Sequence, residues 1–264
     1  MGNPVAHSKS PQIHAAFAAQ TGAPIHYGLC AVEPGHFPES VQAFRAAGGR
    51  GCNITVPFKQ EAFELADNLS ARARQAGAVN TLSFSDSAGI LGDNTDGTGL
   101  LRDMQDNLGW EPGGKRVLLL GAGGAVRGVL GPLLEAGPAQ LVIVNRTAAR
   151  AAELARLFAD KGPVSGYGYV ALTGQFDILI NGTSASLQDE LPPLSPDHLA
   201  PGCQCYDMMY ADQPTPFMHW ALEQGAAEVA DGQGMLVEQA AESFQIWRGI
   251  RPQTTTVIES LRNP

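Results

Sequence analysis

No stretch of this 264-residue chain approaches the roughly 18 to 20 consecutive apolar residues that a membrane span requires, and its opening, MGNPVAHSKSP, has no apolar stretch resembling a secretory signal. A cytoplasmic protein without a membrane partner is therefore expected. Cysteine is scarce: the four residues at 30, 52, 203 and 205 include no CxxC pair and lack the spacing of a disulfide framework. They are read as reduced, buried thiols, and no metal site is expected, since Cys203 and Cys205 have no second pair to complete one. Positive charge is also short, with 17 Lys and Arg against 26 Asp and Glu for a formal net charge of −9. That balance argues against a nucleic-acid partner, which would need a basic excess or a clustered basic face. Anionic small molecules stay open, because they need only a few local donors. Fixed-period repeats and low-complexity tracts are absent as well.

The chain does have apolar residues, at 44%, enough for the core of one large or two modest domains. Up to residue 96 strand-like and helix-like segments alternate. Ser10-Pro11 reads as an N-cap with proline at the first helical position, opening a helix through about Gln20. Strands are predicted at Ile25 to Val32, Cys52 to Val56 and Val79 to Phe84, with helices near Pro38 to Ala46 and Glu61 to Leu69. Thr95-Asp96 would cap a helix running through about Asn107. The alternation predicts an α/β layer arrangement with crossover connections. From Lys115 the rhythm is cleaner: strand Val117 to Leu120, helix Gly124 to Ala136, strand Leu141 to Asn145, helix Thr147 to Asp160, then strands at Phe176 to Ile180 and Gln204 to Met208. That is the order of a doubly wound dinucleotide-binding unit. After the DGQGM turn an amphipathic pattern, Met235 to Trp247, and a short helix near Thr255 to Leu261 finish the chain.

The turn after the first strand of that unit, GAGGAV, misses a strict GxGxxG, because Val126 stands at the third glycine position. Gly121 can still make the tight turn, and Gly123 can let backbone N–H groups approach a pyrophosphate at the helix N-terminus. The second strand ends in VIVNRTAAR. Asn145 stands where an NAD binder normally carries an acid for the ribose hydroxyls, and Arg146, Thr147 and Arg150 supply cations and a hydroxyl suited to a phosphate dianion. The inference is a 2′-phosphate, hence NADP(H) over NAD(H).

Ahead of this unit lie GNPVAHSKSP, NITVPFK, AVNT and GDNTDG, and beyond it CYDMMY and GQGMLVEQA. With GAGGA and NRT, this ordered set closely resembles the shikimate dehydrogenase family over nearly the whole chain. The resemblance implies an α/β protein with a Rossmann-type doubly wound NADP-binding domain, an α/β substrate-binding domain and a cleft between them. Its implied boundaries are residues 1–96 for the substrate domain, 97–232 for the NADP domain and 233–264 for helices returning to the substrate domain. The implied activity is reversible NADPH-dependent reduction of 3-dehydroshikimate to shikimate, on the route to chorismate and the aromatic amino acids. Lys59 and Asp96 match the family's catalytic pair. A ketone receiving hydride builds negative charge on oxygen, which an ammonium can stabilise and protonate, while a carboxylate beside the lysine holds it in place. The resemblance also implies that Ser8, Ser10 and Tyr210 face the substrate carboxylate, and that Thr55, Asn80, Asp96 and Gln239 line the rest of the pocket. On the cofactor side it implies Gly121, Ala122, Gly123, Gly124 and Ala125 at the phosphates, Asn145, Arg146, Thr147 and Arg150 at the 2′-phosphate, and Met208 and Gly232 near the nicotinamide. His7 and His14 are read as structural, and a homodimer is entertained as the assembly.

Two departures from the family pattern carry expectations of their own. Val126 occupies a position where the family has a small residue, which is expected to move the first helix slightly off its strand. The family also begins with an apolar strand leading into the GNP turn, whereas here Met1 is followed directly by Gly2-Asn3-Pro4. The start is read as assigned late or trimmed, with the neighbours of an absent strand expected to lose ladder partners. The competing functional readings are a quinate/shikimate dehydrogenase that uses NAD and a non-catalytic paralogue that binds ligand as a sensor.

Overall fold

In the computed structural model, which describes residues 1–183 and 191–262, the chain divides into one unit of Met1–Gly99 with Leu236–Pro264 and another of Leu100–Met235. The first unit runs α1 (Ser10–Thr21), α2 (Phe37–Ala46), β1 (Gly51–Asn53), α3 (Lys59–Leu65), β2 (Asn68–Leu69), α4 (Ala71–Ala76), β3 (Thr81–Ser85) and β4 (Gly89–Asp93). Its sheet has the order β1-β3-β4-β2. The β1/β3 and β3/β4 ladders are antiparallel and only β2/β4 is parallel. The expectation of crossover connections is thus corrected for residues 81–93, where β3 and β4 form a hairpin closed by the turn at 86–88. The cause is local: a short polar turn lets neighbouring strands pair directly, while a parallel pair needs a long connection.

The strand expected at Ile25 to Val32 is also corrected. Only Ala31 in it is bridged, in parallel, to Gly2. The Gly2 N–H donates to the Cys30 carbonyl, the Val32 N–H donates to the Gly2 carbonyl, and the Thr55 N–H donates to the Met1 carbonyl. Residues 30–32 and 53–55 therefore have a ladder partner, and it is residues 1–3. The predicted strand at 52–56 stops at Asn53 because Thr55 starts a turn, accepting from the Phe58 N–H. The predicted 61–69 helix starts two residues earlier and ends at Leu65, since Asn68 and Leu69 pair with Leu91 and Gly92. Ser10 is the first helical residue of α1, with Lys9 as its N-cap.

Two cores fill this unit. Val32, Phe37, Val41, Ile54, Phe58, Leu82 and Ile90 form one, with the rings of Phe37 and Phe58 stacked at 5.1 Å. The other joins Ile13 and Phe17 of α1 to Val237, Ala240 and Phe244 of α9 (Gln233–Arg248) and to Val257, Ile258 and Leu261 of α10 (Thr255–Arg262).

The second unit is entered along α5 (Asp96–Arg102), which ends in a π turn over Asp103–Asn107, so the single helix expected through Asn107 changes hydrogen-bond pattern. It continues as β5 (Arg116–Leu120), α6 (Gly124–Glu135), β6 (Gln140–Val144), α7 (Ala148–Leu157), β7 (Val164–Tyr167), β8 (Phe176–Asn181), β9 (Leu199–Asp207), α8 (Pro216–Glu223) and β10 (Glu228–Ala230). All its ladders are parallel, in the order β10-β9-β8-β5-β6-β7. This is the doubly wound order: every strand runs the same way, and the direction in which successive strands are added to the sheet reverses between β5 and β8. A parallel sheet covered on both faces needs strands that are apolar throughout. In β5, Val117 and Leu119 enter one core while Leu118 and Leu120 enter the other.

Glycine sets two close approaches here. Val126 is fully buried, and a Cβ on Gly182 would lie 2.5 Å from its Cγ2; the volume that a third glycine would have left on the helix is supplied from β8's end. At Gly166 in β7 a Cβ would overlap the Ala151 carbonyl, so this strand and α7 touch backbone to backbone. Gly166→Ala is expected to cost about 2 kcal/mol or more through overpacking, read as a lowered calorimetric melting temperature. Gly28→Ala, where a Cβ meets nothing within 4 Å, should stay within about 0.5 kcal/mol of the parent.

Candidate functional site

Residues far apart in the first unit converge on one hydrogen-bonded cluster. Lys59 is the first residue of α3 and Asp96 the first of α5. The Lys59 ammonium donates to Asp96 Oδ2 at 2.6 Å, and their side chains are 24% and 8% exposed, so the aspartate is nearly enclosed while the lysine side chain stays partly accessible. Asp96 also sits where the helix dipole favours an anion. Its other oxygen accepts from Asn80 Nδ2 at 2.8 Å, and its own N–H donates to Asn94 Oδ1. Asn80, on the approach to β3, is 2% exposed. Its amide also reaches Thr95 Oγ1 and Gln239 Oε1, at 2.9 and 3.4 Å, and its carbonyl oxygen accepts from the Thr95 N–H and the Thr81 hydroxyl. Of the residues the sequence assigns to the substrate, the first unit holds Ser8, Ser10, Thr55, Asn80, Asp96 and Gln239. Asn80, Asp96 and Gln239 share this cluster with Lys59. Ser8 and Ser10 form a separate pair, with the Ser8 hydroxyl donating to Ser10 Oγ at 3.1 Å, and Thr55 lies at the turn before α3, its Cγ2 against Gly2.

The network extends to residues that the sequence did not single out. Asn53 Nδ2 donates to Ser243 Oγ at 2.9 Å and Thr81 Oγ1 at 3.1 Å, and Asn53 Oδ1 accepts from the Tyr27 hydroxyl. Tyr27 stacks on His14 at 4.1 Å. Burial pushes the His14 pKa down to about 4, so the ring is neutral near pH 7. An ionic ladder lies behind Asp96. Arg72 binds Asp93 through Nε and Nη2 at 2.7 and 3.0 Å and reaches Glu242 at 3.4 Å. Arg251 binds Glu242 and, at 2.6 Å, Glu238. Glu238 and Glu242 flank Gln239 on α9, while Asp93 begins the turn at 93–96 and accepts from Ser70 and the Asn94 N–H. The ladder thus fixes both the turn carrying Asp96 and the helix carrying Gln239. In the sequence the only trace of it is an acidic pair, Glu238 and Glu242, one helical turn apart in α9.

In the second unit a pocket of about 350 Å³ opens where the strand order reverses. Gly121, Ala122, Gly123, Gly124, Ala125, Asn145, Arg146 and Arg150 line it, with Tyr169, Gly182, Thr183, Leu191, Pro192 and Pro193. Gly121 has φ +103°, which only glycine adopts readily, and its N–H donates to the Val144 carbonyl. A Cβ at Gly123 or Gly124 would meet nothing within 4 Å, so the loop leaves space above the N-terminus of α6, which has no side-chain cap. Arg146 and Arg150 are exposed and make no salt bridge among the described residues. Open N–H donors at one place and two unengaged guanidinium groups at another suit a ligand with two separated phosphates.

Thr147, Met208 and Gly232 do not line this pocket. Thr147 is the N-cap of α7, without a side-chain cap bond. Met208 and Gly232 touch each other, since a Cβ on Gly232 would overlap the Met208 carbonyl. Buried Asp207 accepts from Asn181, Thr215 and the Met209 N–H, which fixes the loop bearing Met208 and Tyr210. Tyr210 belongs to the second unit, and burial raises its pKa. Cys52, Cys203 and Cys205 are buried, but Cys30 is only partly so, a correction that follows from its place in the largely unpaired 25–32 segment. No helix among the described residues is long and apolar enough to cross a membrane.

Family models match in three stretches: the shikimate dehydrogenase substrate binding domain over residues 1–82, shikimate / quinate 5-dehydrogenase over 104–188, and the shikimate 5′-dehydrogenase C-terminal domain over 232–262. Shikimate dehydrogenase (NADP(+)) of Alkalilimnicola ehrlichii is 58% identical over 99% of this chain and 97% of its own. The chain belongs to the shikimate dehydrogenase family. Among solved structures, an Ael1 enzyme from Pseudomonas putida is 49% identical with a TM-score of 0.93, covering 100% of this chain and 97% of that one. A shikimate 5-dehydrogenase from Thermus thermophilus, in complex with NADP(H) and shikimate, is 31% identical with a TM-score of 0.87, covering 99% and 97%.

The ladder behind Asp96 gives this family member a specific acid response. Burial alone would raise the Asp93 pKa, but the bonds from Arg72 and Ser70 and the Arg72 charge outweigh it and hold the carboxyl below its usual range. A depressed folded pKa means that its stabilisation is present above the ordinary carboxylate pKa and is lost as pH falls through the folded value. Asp93→Asn is therefore expected to cost about 2 kcal/mol at pH 7, with the melting-temperature gap to the parent starting to narrow below about pH 5 and closing only once pH has fallen through the depressed folded pKa. A gap independent of pH would contradict this.

Proposed function

We propose that the protein is an NADP-dependent shikimate dehydrogenase, interconverting shikimate and 3-dehydroshikimate. The observation that carries the reading is the 2.6 Å contact of Lys59 with an Asp96 carboxylate that Asn80 also holds. One oxygen of Asp96 orients the ammonium and the other is fixed by the amide, so the lysine, still partly accessible, is held available to a substrate oxygen. In ketone reduction Lys59 stabilises the developing alkoxide and delivers a proton to it; in alcohol oxidation the same nitrogen, deprotonated, takes the proton back. Asn80 and Gln239 supply amide groups for ring hydroxyls, and the Ser8 and Ser10 hydroxyls with Thr55 suit the carboxylate end. The dinucleotide, when bound, supplies or accepts the hydride.

Residues 1–96 with the helices of 233–264 are assigned to substrate, and residues 97–232 to the dinucleotide. The open glycine loop supports the second assignment. The stretch 145–150 favours NADP over NAD, because it offers two cations and no acid to a ribose bearing a 2′-phosphate.

The test is optical measurement of NADP⁺ reduction with shikimate and with quinate, using NAD⁺ as control, on the parent and on Lys59→Ala. The expected outcome is turnover favouring NADP⁺ and shikimate, with kcat falling by about 10² to 10⁴ in the variant. Equal use of NAD⁺ and quinate would move the assignment to the broader dehydrogenase. Thermal stabilisation by shikimate or NADP⁺ without turnover would indicate a ligand sensor.

A further inference from the structure

The pocket of the second unit has an aromatic wall that the charge-based reading does not use. Tyr169 stands in a short 3-10 turn immediately after β7, in the sequence SGYGYV, and lines the same pocket as Arg146 and Arg150. Its position follows from the glycines that alternate with the two tyrosines. Gly166 lets β7 touch the backbone of α7, as described above. At Gly168 a Cβ would lie 3.1 Å from the Ala148 Cβ and 4.0 Å from the Asn145 carbonyl, so this residue is pressed against the turn at 145–148. The Asn145 N–H donates to the Tyr167 carbonyl at 3.1 Å, pinning the two segments together. Tyr169 is the next side chain able to enter the pocket beside Arg146. Its ring also packs on the buried core of Leu118, Leu120 and Phe176, which holds it from behind.

We propose that Tyr169 is a specificity-determining residue for the dinucleotide: its ring forms a wall for the adenine, and its hydroxyl joins Arg146 and Arg150 in recognising the 2′-phosphate. Two arginines alone would attract almost any phosphate, because a guanidinium reads charge and planarity. A flat aromatic face beside them adds a surface on which a planar base can stack, and a neutral hydroxyl adds a directional donor. The charge state fits that role. Burial pushes the phenol up to about 12 despite the opposing pull of Arg146, so at neutral pH it donates a proton and does not repel a phosphate dianion. Leu191, Pro192 and Pro193 add apolar contacts to the lining. The inference rests on the NADP assignment and deepens it by separating the ring from the hydroxyl.

Calorimetric titration of adenosine 2′,5′-bisphosphate and of 5′-AMP into the parent, Tyr169→Phe and Tyr169→Leu separates the contributions without any turnover. Tyr169→Phe is expected to weaken the bisphosphate about tenfold and leave 5′-AMP unchanged. Tyr169→Leu is expected to weaken both ligands, with 5′-AMP losing at least about fivefold. The Phe variant keeps the packed ring, so its result stands if the Leu variant folds poorly. A parent that prefers the bisphosphate, with Phe and Leu variants matching it for both ligands, overturns the role of Tyr169 and leaves the NADP assignment intact. A parent with no preference for the 2′-phosphate overturns both.

Discussion

A buried side-chain amide organises the first unit. Asn80 offers its nitrogen to Asp96, Thr95 and Gln239 and its oxygen to Thr95 and Thr81. In a nearly dry position each of these polar groups would be costly to leave unpaired, so the approach to β3, the start of α5 and the middle of α9 must adopt mutually compatible positions. The lysine and carboxylate at the centre inherit their placement from that requirement. Asp93, three residues ahead of Asp96, extends the same logic into charge. Its pairing with Arg72, and the pairing of Arg251 with two glutamates of α9, replaces lost hydration with opposite charge.

The dinucleotide unit was legible in sequence because its physical demands are local. A parallel strand buried on both faces must be apolar where it is buried, and VLLL, LVIV and ILI say so directly. The open glycine turn and the basic segment after the second strand are also contiguous, so the residues that end up around one pocket are visible as short words. Lys59 and Asp96 were legible for a different reason, through a resemblance that no single motif would have carried.

What the sequence hid is mostly a matter of distance along the chain. The link between Asn53 and Ser243 spans 190 residues, and no periodicity in either segment announces it. The hairpin of β3 and β4 escaped because GILGD is short and glycine-rich, so its strand character comes from the partner and not from propensity. The extended 25–32 segment shows the converse. It has the composition of a strand, yet strand structure requires a neighbour, and the described partner reaches only Ala31. Tyr169 went unnoticed because its role depends on glycines at 166 and 168 that look like weak strand positions until the close approach to α7 is seen.

The division of the chain bears on how it is made. The second unit is continuous from Leu100 to Met235, but the first is assembled from both ends. Ile13 and Phe17 find their apolar neighbours on α9 and α10, and Asn80 finds Gln239, only after nearly the entire polypeptide has been synthesised. During translation the amino-terminal segment therefore emerges first and matures last. Its exposed apolar helix must wait while the central unit folds behind it, a reversal of the usual amino-to-carboxyl order. Until those carboxy-terminal helices arrive, Ile13 and Phe17 lack the apolar neighbours that bury them in the folded unit.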